Sequence, residues 1–308
     1  MSHGDSEPIC FLNGAIRSAT DAHIPINDLG FIHGVTVSEQ LRTFRGRPFL
    51  LAEHLQRFKR GLKLLQIDLP ELEGLNSAVE AVAAHNYRLH GNNQELGICL
   101  FGTPGPSPRF KYSNKLNQEF RPTVCVHTYA LPFAEMHERY QNGVQLKLAS
   151  TTEIPPSCWP KEVKIRSRLH YFLADLEMLN TFPDCIAILT DAIESSTNRF
   201  FRETSTSTPI FVFNENEITV PPAEQILRSV SLDFLLAIGR ELNFKIVRRE
   251  VSTSEIENLR SMFLVSTPFC IYDVGSIESH PLKMHSAELS QLKAQWKKIV
   301  DFDFEWQS

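Results

Sequence analysis

Hydrophobic positions along the chain change period several times, and each change predicts an element. Val35 to Phe44, rich in β-branched residues and followed by Arg45-Gly46 and Pro48 to Leu51, predicts a strand and a tight turn. From Glu53 to Ile67 the period lengthens: Leu55, Phe58, Leu62 and Leu65 are three or four apart, as in an amphipathic helix. Ala78 to Leu89 predicts a second helix, and Leu96 to Phe101 and Thr123 to Thr128 predict strands. Between those strands, Gly102 to Arg121 is a long loop punctuated by prolines, and Tyr129 to Tyr140 is a connector.

The second half opens with a strand, Val144 to Leu148, and a loop with Pro155-Pro156 and Pro160. The clearest helical spacing in the chain follows. Ile165, Leu169, Phe172, Leu176 and Leu179 are separated by four, three, four and three, which predicts a buried helix with Lys164 at its mouth. Cys185 to Leu189 reads as a central strand, Pro209 to Phe213 and Ile218 to Val220 as a hairpin, and Gln225 to Leu242 as a helix. Ser252 with Glu255 predicts a capping box, Met262 to Val265 a buried strand, and Ser286 to Val300 a closing helix.

With 308 residues, the chain is long enough for about two domains. Apolar residues are 42%, charged residues 22% and the net charge is −5, a balance that argues against a basic nucleic-acid surface. No apolar run is long enough for a membrane span, and Met1 to Gly14 lacks the pattern of a signal peptide. Six scattered cysteines without a CxxC pair read as reduced thiols of a cytoplasmic protein, with no metal site expected.

Three hydroxyl-rich clusters stand at strand ends or helix starts: Glu203-Thr204-Ser205-Thr206, Ser229-Val230-Ser231 and Ser266-Thr267-Pro268. Hydroxyls beside the unpaired N–H groups of a helix start make an anion cup, or simply cap the helix. Lys164, between a proline-rich loop and a buried helix, is a candidate for a partly desolvated, imine-forming amine, with Lys161 as a competitor. Motifs for dinucleotides, nucleotide triphosphates, serine hydrolysis and zinc proteolysis are absent from the sequence.

Together these segments resemble the class IV, fold-type IV pyridoxal-phosphate enzymes: branched-chain and D-amino-acid aminotransferases and aminodeoxychorismate lyase. The N-terminal part carries Asn13-Gly14, Asp28-Leu29-Gly30-Phe31 with Gly34 and Glu39, then Gly46 and His54-Leu55-Gln56-Arg57-Phe58. Later come Lys164 with Arg168-Leu169 and Ala174, Ile226-Leu227 before Ser229-Val230-Ser231, and Phe263-Leu264 before Ser266-Thr267-Pro268. The resemblance implies an α/β (α+β), two-domain D-amino-acid-aminotransferase-like fold. Its small N-terminal α/β sandwich would span residues 1 to about 130. A larger C-terminal pseudo-barrel domain, about 131 to 308, would carry the Schiff-base lysine.

It further implies pyridoxal phosphate as cofactor, an amino acid of branched-chain or D-amino-acid type and a 2-oxo acid as substrates, and a homodimer. Lys164 would form the imine and shuttle the substrate proton. Arg57 would pair with the cofactor phosphate, Glu203 would face the pyridine nitrogen, and Val230, Ser231 and Thr267 would bind phosphate through backbone N–H and hydroxyl groups. Glu194 is an alternative carboxylate, because Thr208-Pro209 departs from the family pattern after Glu203. Ser229 stands where the family often has glycine, and Gly102 to Arg121 is a candidate lid. The Arg168-Leu169 form leaves a lyase as an alternative activity, and the irregular Glu203 region a non-catalytic relative.

Overall fold

A computed structural model describes residues 6–89, 94–107, 109, 121–191 and 199–306. Glu194 and most of the candidate lid lie outside the described residues. The chain packs as two compact units, Met1–Leu131 with Val163–Ser167, and Pro132–Glu162 with Arg168–Ser308.

In the first unit, β1 (Ile9–Leu12), β2 (Ala15–Ser18), β3 (Val37–Phe44), β4 (Arg47–Pro48), β5 (Leu96–Thr103) and β6 (Thr123–Ala130) form one sheet in the order β2-β1-β6-β5-β3-β4. All its pairings are antiparallel. The turn from β3 to β4 is Arg45-Gly46, both at positive φ, which suits a two-residue hairpin. A short α1 (Leu29–Ile32) precedes β3, while α2 (Leu51–Leu64) and α3 (Leu75–Leu89) cover one sheet face. Period-2 residues of the strands, Val37, Leu41, Ile98, Leu100, Val124 and Val126, meet Leu55, Phe58 and Leu62 of α2 and Val79 and Val82 of α3 there. Gly61 lets α2 lie close on β3, since a Cβ at that position would stand 2.8 Å from a Val37 methyl.

The five residues Val163–Ser167 pack with this unit, although in sequence they fall within the stretch expected to form the larger domain. The reason is local: Ile165 bridges Val37, Ser38 N–H donates to the Lys164 carbonyl at 2.8 Å, and Arg166 N–H donates to Thr36 at 3.1 Å. Lys164 therefore sits in extended chain pinned to β3.

The second unit contains α4 (Phe133–Asn142), β7 (Val144–Leu148), α5 (Leu169–Thr181), β8 (Cys185–Thr190), β9 (Phe201–Thr204), β10 (Thr208–Val212), β11 (Glu217–Val220), α6 (Val230–Glu241), β12 (Lys245–Arg248), β13 (Ser261–Ser266), β14 (Cys270–Ile277), β15 (His280–Pro281) and α7 (Ala287–Val300). Its sheet runs β12-β11-β10-β13-β14-β7-β8-β9, with β15 on β14. Because β9 also packs beside β10, the sheet curls on itself, in keeping with the expected pseudo-barrel. The capping box at Ser252 and Glu255 is formed.

Three expectations are corrected. The connector Tyr129 to Tyr140 holds the end of β6 and most of α4, whose sparse buried residues, Met136 and Tyr140, gave little periodic signal. The helix expected from Gln225 begins only at Val230, where Ser229 caps it. The helix expected from Ile165 begins at Leu169, and its apolar stripe is not buried: Leu169 is 68%, Phe172 62% and Leu179 67% exposed. The side of α5 that packs on β8 is lined instead by Ala174 and Met178, which lie against Ala187 and Leu189.

Candidate functional site

The site residues expected from sequence fall into two groups, one in each unit. In the first unit, β3 and α2 bring together Glu39, His54 and Arg57. His54 and Arg57 lie on the same helical arc as Leu51, Leu55 and Phe58, so folding the apolar stripe inward takes them with it. Arg57 donates to Glu39 through Nε at 2.7 Å and Nη2 at 2.6 Å, and His54 Nδ1 lies 2.7 Å from the same carboxylate. Burial alone would raise the Glu39 pKa, but the charge and hydrogen bonds of Arg57, with those of His54, outweigh it and hold the carboxylate at about 2. Burial pushes His54 the other way, down from its ordinary value. Arg57, the expected phosphate ligand, is thus anchored by a buried anion. Lys164 is half-buried in the strand-like segment on β3, and its charge is felt at both His54 and Cys99.

In the second unit, the three hydroxyl clusters converge. Ser266 Oγ donates to the Thr206 carbonyl at 2.7 Å, and the Ser231 and Thr267 hydroxyls lie 2.6 Å apart. Ser231 is 1% exposed and Thr267 7%. Ser229 takes an extended conformation, φ −78° and ψ 123°, so no glycine is required there, and its hydroxyl accepts from Leu232 N–H at 3.2 Å. Val230 and Ser231 then occupy the first two positions of a twelve-residue helix, where backbone N–H groups lack intrahelical acceptors and the dipole favours an anion.

Glu203 closes this group from β9. Thr204 Oγ1 accepts from Ser207 N–H at 2.9 Å, and this tight turn returns the chain so that Thr208 Oγ1 donates to Glu203 at 2.7 Å. Leu227 N–H donates to the other carboxylate oxygen, also at 2.7 Å. The departure at Thr208 therefore supplies a hydrogen-bond donor to the carboxylate. Burial pushes Glu203 up to about 7, against the pull of those two neutral donors.

Sequence reasoning missed a polar network beside Glu203. Glu153 receives Lys161 Nζ at 2.6 Å and Tyr171 Oη at 2.8 Å, with His170 Nε2 at 3.3 Å. Burial would raise Glu153, yet His170, Lys161 and Tyr171 bring it down to about 2. The Tyr171 phenol is driven well above its ordinary value by burial and by the charges of Glu203 and Glu153. Lys161, the competitor to Lys164, is accordingly committed to an ion pair. Its spacing from Glu153 on an irregular loop offers no periodic signal.

The match to known proteins follows the same path. Residues 36–277 match the family described as amino-transferase class IV, and the chain belongs to that family of pyridoxal-phosphate-dependent transaminases. A putative branched-chain-amino-acid aminotransferase of Methanocaldococcus jannaschii is 23% identical over 295 residues, covering 94% of this chain and 95% of that protein. A D-alanine aminotransferase of Bacillus licheniformis is 24% identical, covering 88% of each. Among solved structures, a hypothetical aminotransferase from Mycobacterium tuberculosis in a PLP-bound form superposes with a TM-score of 0.78 at 18% identity, over 95% of this chain and 97% of that one. A 4-amino-4-deoxychorismate lyase from Pseudomonas aeruginosa gives 0.76 at 23% identity, over 95% and 100%. These structural likenesses establish the mixed α/β fold. Among the described residues, no helix is long and apolar enough to cross a membrane.

Proposed function

We propose that the protein transfers an amino group between an amino acid of branched-chain or D-amino-acid type and a 2-oxo acid, in a ping-pong cycle on pyridoxal phosphate carried by Lys164. The observation that carries this reading is Glu203, a buried carboxylate held by two neutral donors and pushed up to about 7. Such a group is suited to a cation delivered by a ligand, and a protonated pyridine nitrogen is one. The paired hydroxyls of Ser231 and Thr267 at the start of α6 fit the other end of the cofactor, a phosphate dianion.

When bound, pyridoxal phosphate supplies an electron sink that eases removal of the proton on the substrate's α-carbon. Glu203 would keep the ring nitrogen protonated. The amides of Val230 and Ser231, with the Ser231 and Thr267 hydroxyls, would hold the phosphate, and Arg57, oriented by Glu39, would add a positive charge towards it. Lys164 Nζ would carry the proton to and from the substrate carbon.

The exposed apolar stripe of α5 supports a homodimer, since a surface of that kind is commonly covered by a partner. Six free cysteines fit a reducing cytoplasm. Lys164→Ala is expected to abolish transamination together with the borohydride-reducible absorbance of the lysine-bound cofactor. A fully active Lys164→Ala protein would overturn the assignment. The lyase reading rests on Arg168-Leu169, and pyruvate release without an oxo-acid acceptor is the result that would favour it.

A further inference from the structure

Around Lys164 the sequence alternates apolar and charged residues: Val163, Lys164, Ile165, Arg166. Neighbouring side chains of an extended segment point to opposite faces. Val163 and Ile165 pack in the core beneath α2 and α3, so Lys164 and Arg166 share the other face. The sheet register shows what else lies on that face. Val37 is in the core, Ser38 and Gln40 alternate with it, Phe101 and Cys99 stand opposite them on β5, and Cys125 and His127 follow on β6.

Arg166 is exposed, and its guanidinium hydrogen-bonds Cys99 Sγ and lies 5.3 Å from the centre of the Phe101 ring. Neither partner is an anion, since burial raises the Cys99 thiol above its ordinary value even against Arg166 and Lys164. Among the described residues, its guanidinium has no carboxylate partner, in contrast to Arg57, which is locked on Glu39. A guanidinium backed by an aromatic plane retains edge donors in a fixed fork, and that fork matches a carboxylate. Two residues of extended chain place the Arg166 and Lys164 backbones about 6.6 Å apart, with both side chains leaving the same face.

We propose that Arg166 is the carboxylate receptor of the enzyme. Its guanidinium takes a carboxylate of the amino acid and of the 2-oxo acid while Phe101 keeps the fork flat. The substrates are thereby carboxylic acids and not simple amines. This rests on the proposed role of Lys164, which brings the substrate amino group to the same face.

The test is Arg166→Gln in the cofactor-loaded protein, with Arg166→Lys as the conservative variant. Arg166→Gln is expected to keep the absorbance of the lysine-bound cofactor and to raise KM for leucine or glutamate about 10- to 100-fold with a smaller change in kcat, the loss expected for a charged hydrogen-bonded pair. Arg166→Lys, which keeps the charge without the planar fork, recovers part of the loss. Calorimetric affinity for the unreactive acid 4-methylpentanoate falls by a similar factor. A rise in KM for leucine and glutamate alike identifies the α-carboxylate, and a rise for glutamate alone identifies the distal one; both support the proposal. Unchanged KM and unchanged 4-methylpentanoate affinity in Arg166→Gln overturn it. If the parent protein forms no lysine-bound cofactor, the aminotransferase reading fails instead, and the calorimetric comparison alone then decides the role of Arg166.

Discussion

Glu39 and Glu203 are both buried glutamates on strands, and their surroundings treat charge in opposite ways. Glu39, 0% exposed, is met by an arginine and a histidine from one helix, and its carboxylate is held at about 2. Glu203, 8% exposed, is met by a threonine hydroxyl and a backbone N–H, and it is pushed up to about 7. A buried anion with its own cation is a finished piece of structure. A buried carboxyl group with only neutral donors resists ionising on its own and suits a positive charge brought by a ligand. In the first unit a buried carboxylate fixes an arginine in place; in the second a buried carboxyl group is held by neutral donors.

Removing Glu39 tests the finished side. Glu39→Gln removes the buried charge that Arg57 and His54 both meet and is expected to cost about 3–5 kcal/mol of stability, measured by chemical denaturation. A loss below about 1 kcal/mol would show that Arg57 finds another partner, which would weaken the view that Glu39 anchors it.

The pH dependence of stability sharpens the contrast, because the two groups act in different windows and with opposite sign. The Glu39 pair contributes stability that is present above its ordinary value of 4.5 and lost as pH falls towards about 2. Glu203 keeps its proton in the folded state between 4.5 and about 7, where the unfolded chain has released it, so its contribution falls as pH rises through that window. At about 1.4 kcal/mol per pH unit, each effect amounts to about 3 kcal/mol. Denaturation curves of the cofactor-free protein from pH 4.5 to 7 are expected to lose the Glu203 component in Glu203→Gln. An identical slope in that variant would remove the reason for assigning Glu203 a ligand-borne cation.

The smallest expected effect concerns α5, where the same distinction appears in apolar form. Phe172, 62% exposed, is expected to change the stability of the folded chain by no more than about 0.5 kcal/mol when replaced by Asp. Sedimentation is the informative measurement there: Phe172→Asp should lower the oligomeric mass if α5 faces a second copy. An unchanged oligomeric mass in the variant would leave the exposed stripe of α5 without a part in self-association.

Much of this was legible from residues. The lysine segment, the three hydroxyl clusters and Glu203 stood out as chemistry-bearing types at element ends, and Ser231 and Thr267 do meet. The partners of those residues were less visible. His54 and Arg57 fall within the arc of Leu51, Leu55 and Phe58, so their burial could have been inferred from the helical wheel. Glu153, Lys161, His170 and Tyr171 come from a loop and a helix start, and no period joins them.

The sequence by itself determined the local periods. It set a helix over most of α2 and α5, strands at β3, β5, β7 and β13, and a cap at Ser252 with Glu255, because backbone sterics and side-chain spacing act over a few residues. Tertiary structure decided which face of each helix is inward. The stripe of α2 is buried against β3, while that of α5 points outward because Ala174 and Met178 give a closer fit to β8. Tertiary structure also decided that Ile165 bridges Val37, between chain bends at Val163 and Arg166, for the segment's hydrogen bonds to Thr36 and Ser38 come from more than a hundred residues earlier in the chain. Periodicity records that a face is apolar; only the packed chain determines what that face meets.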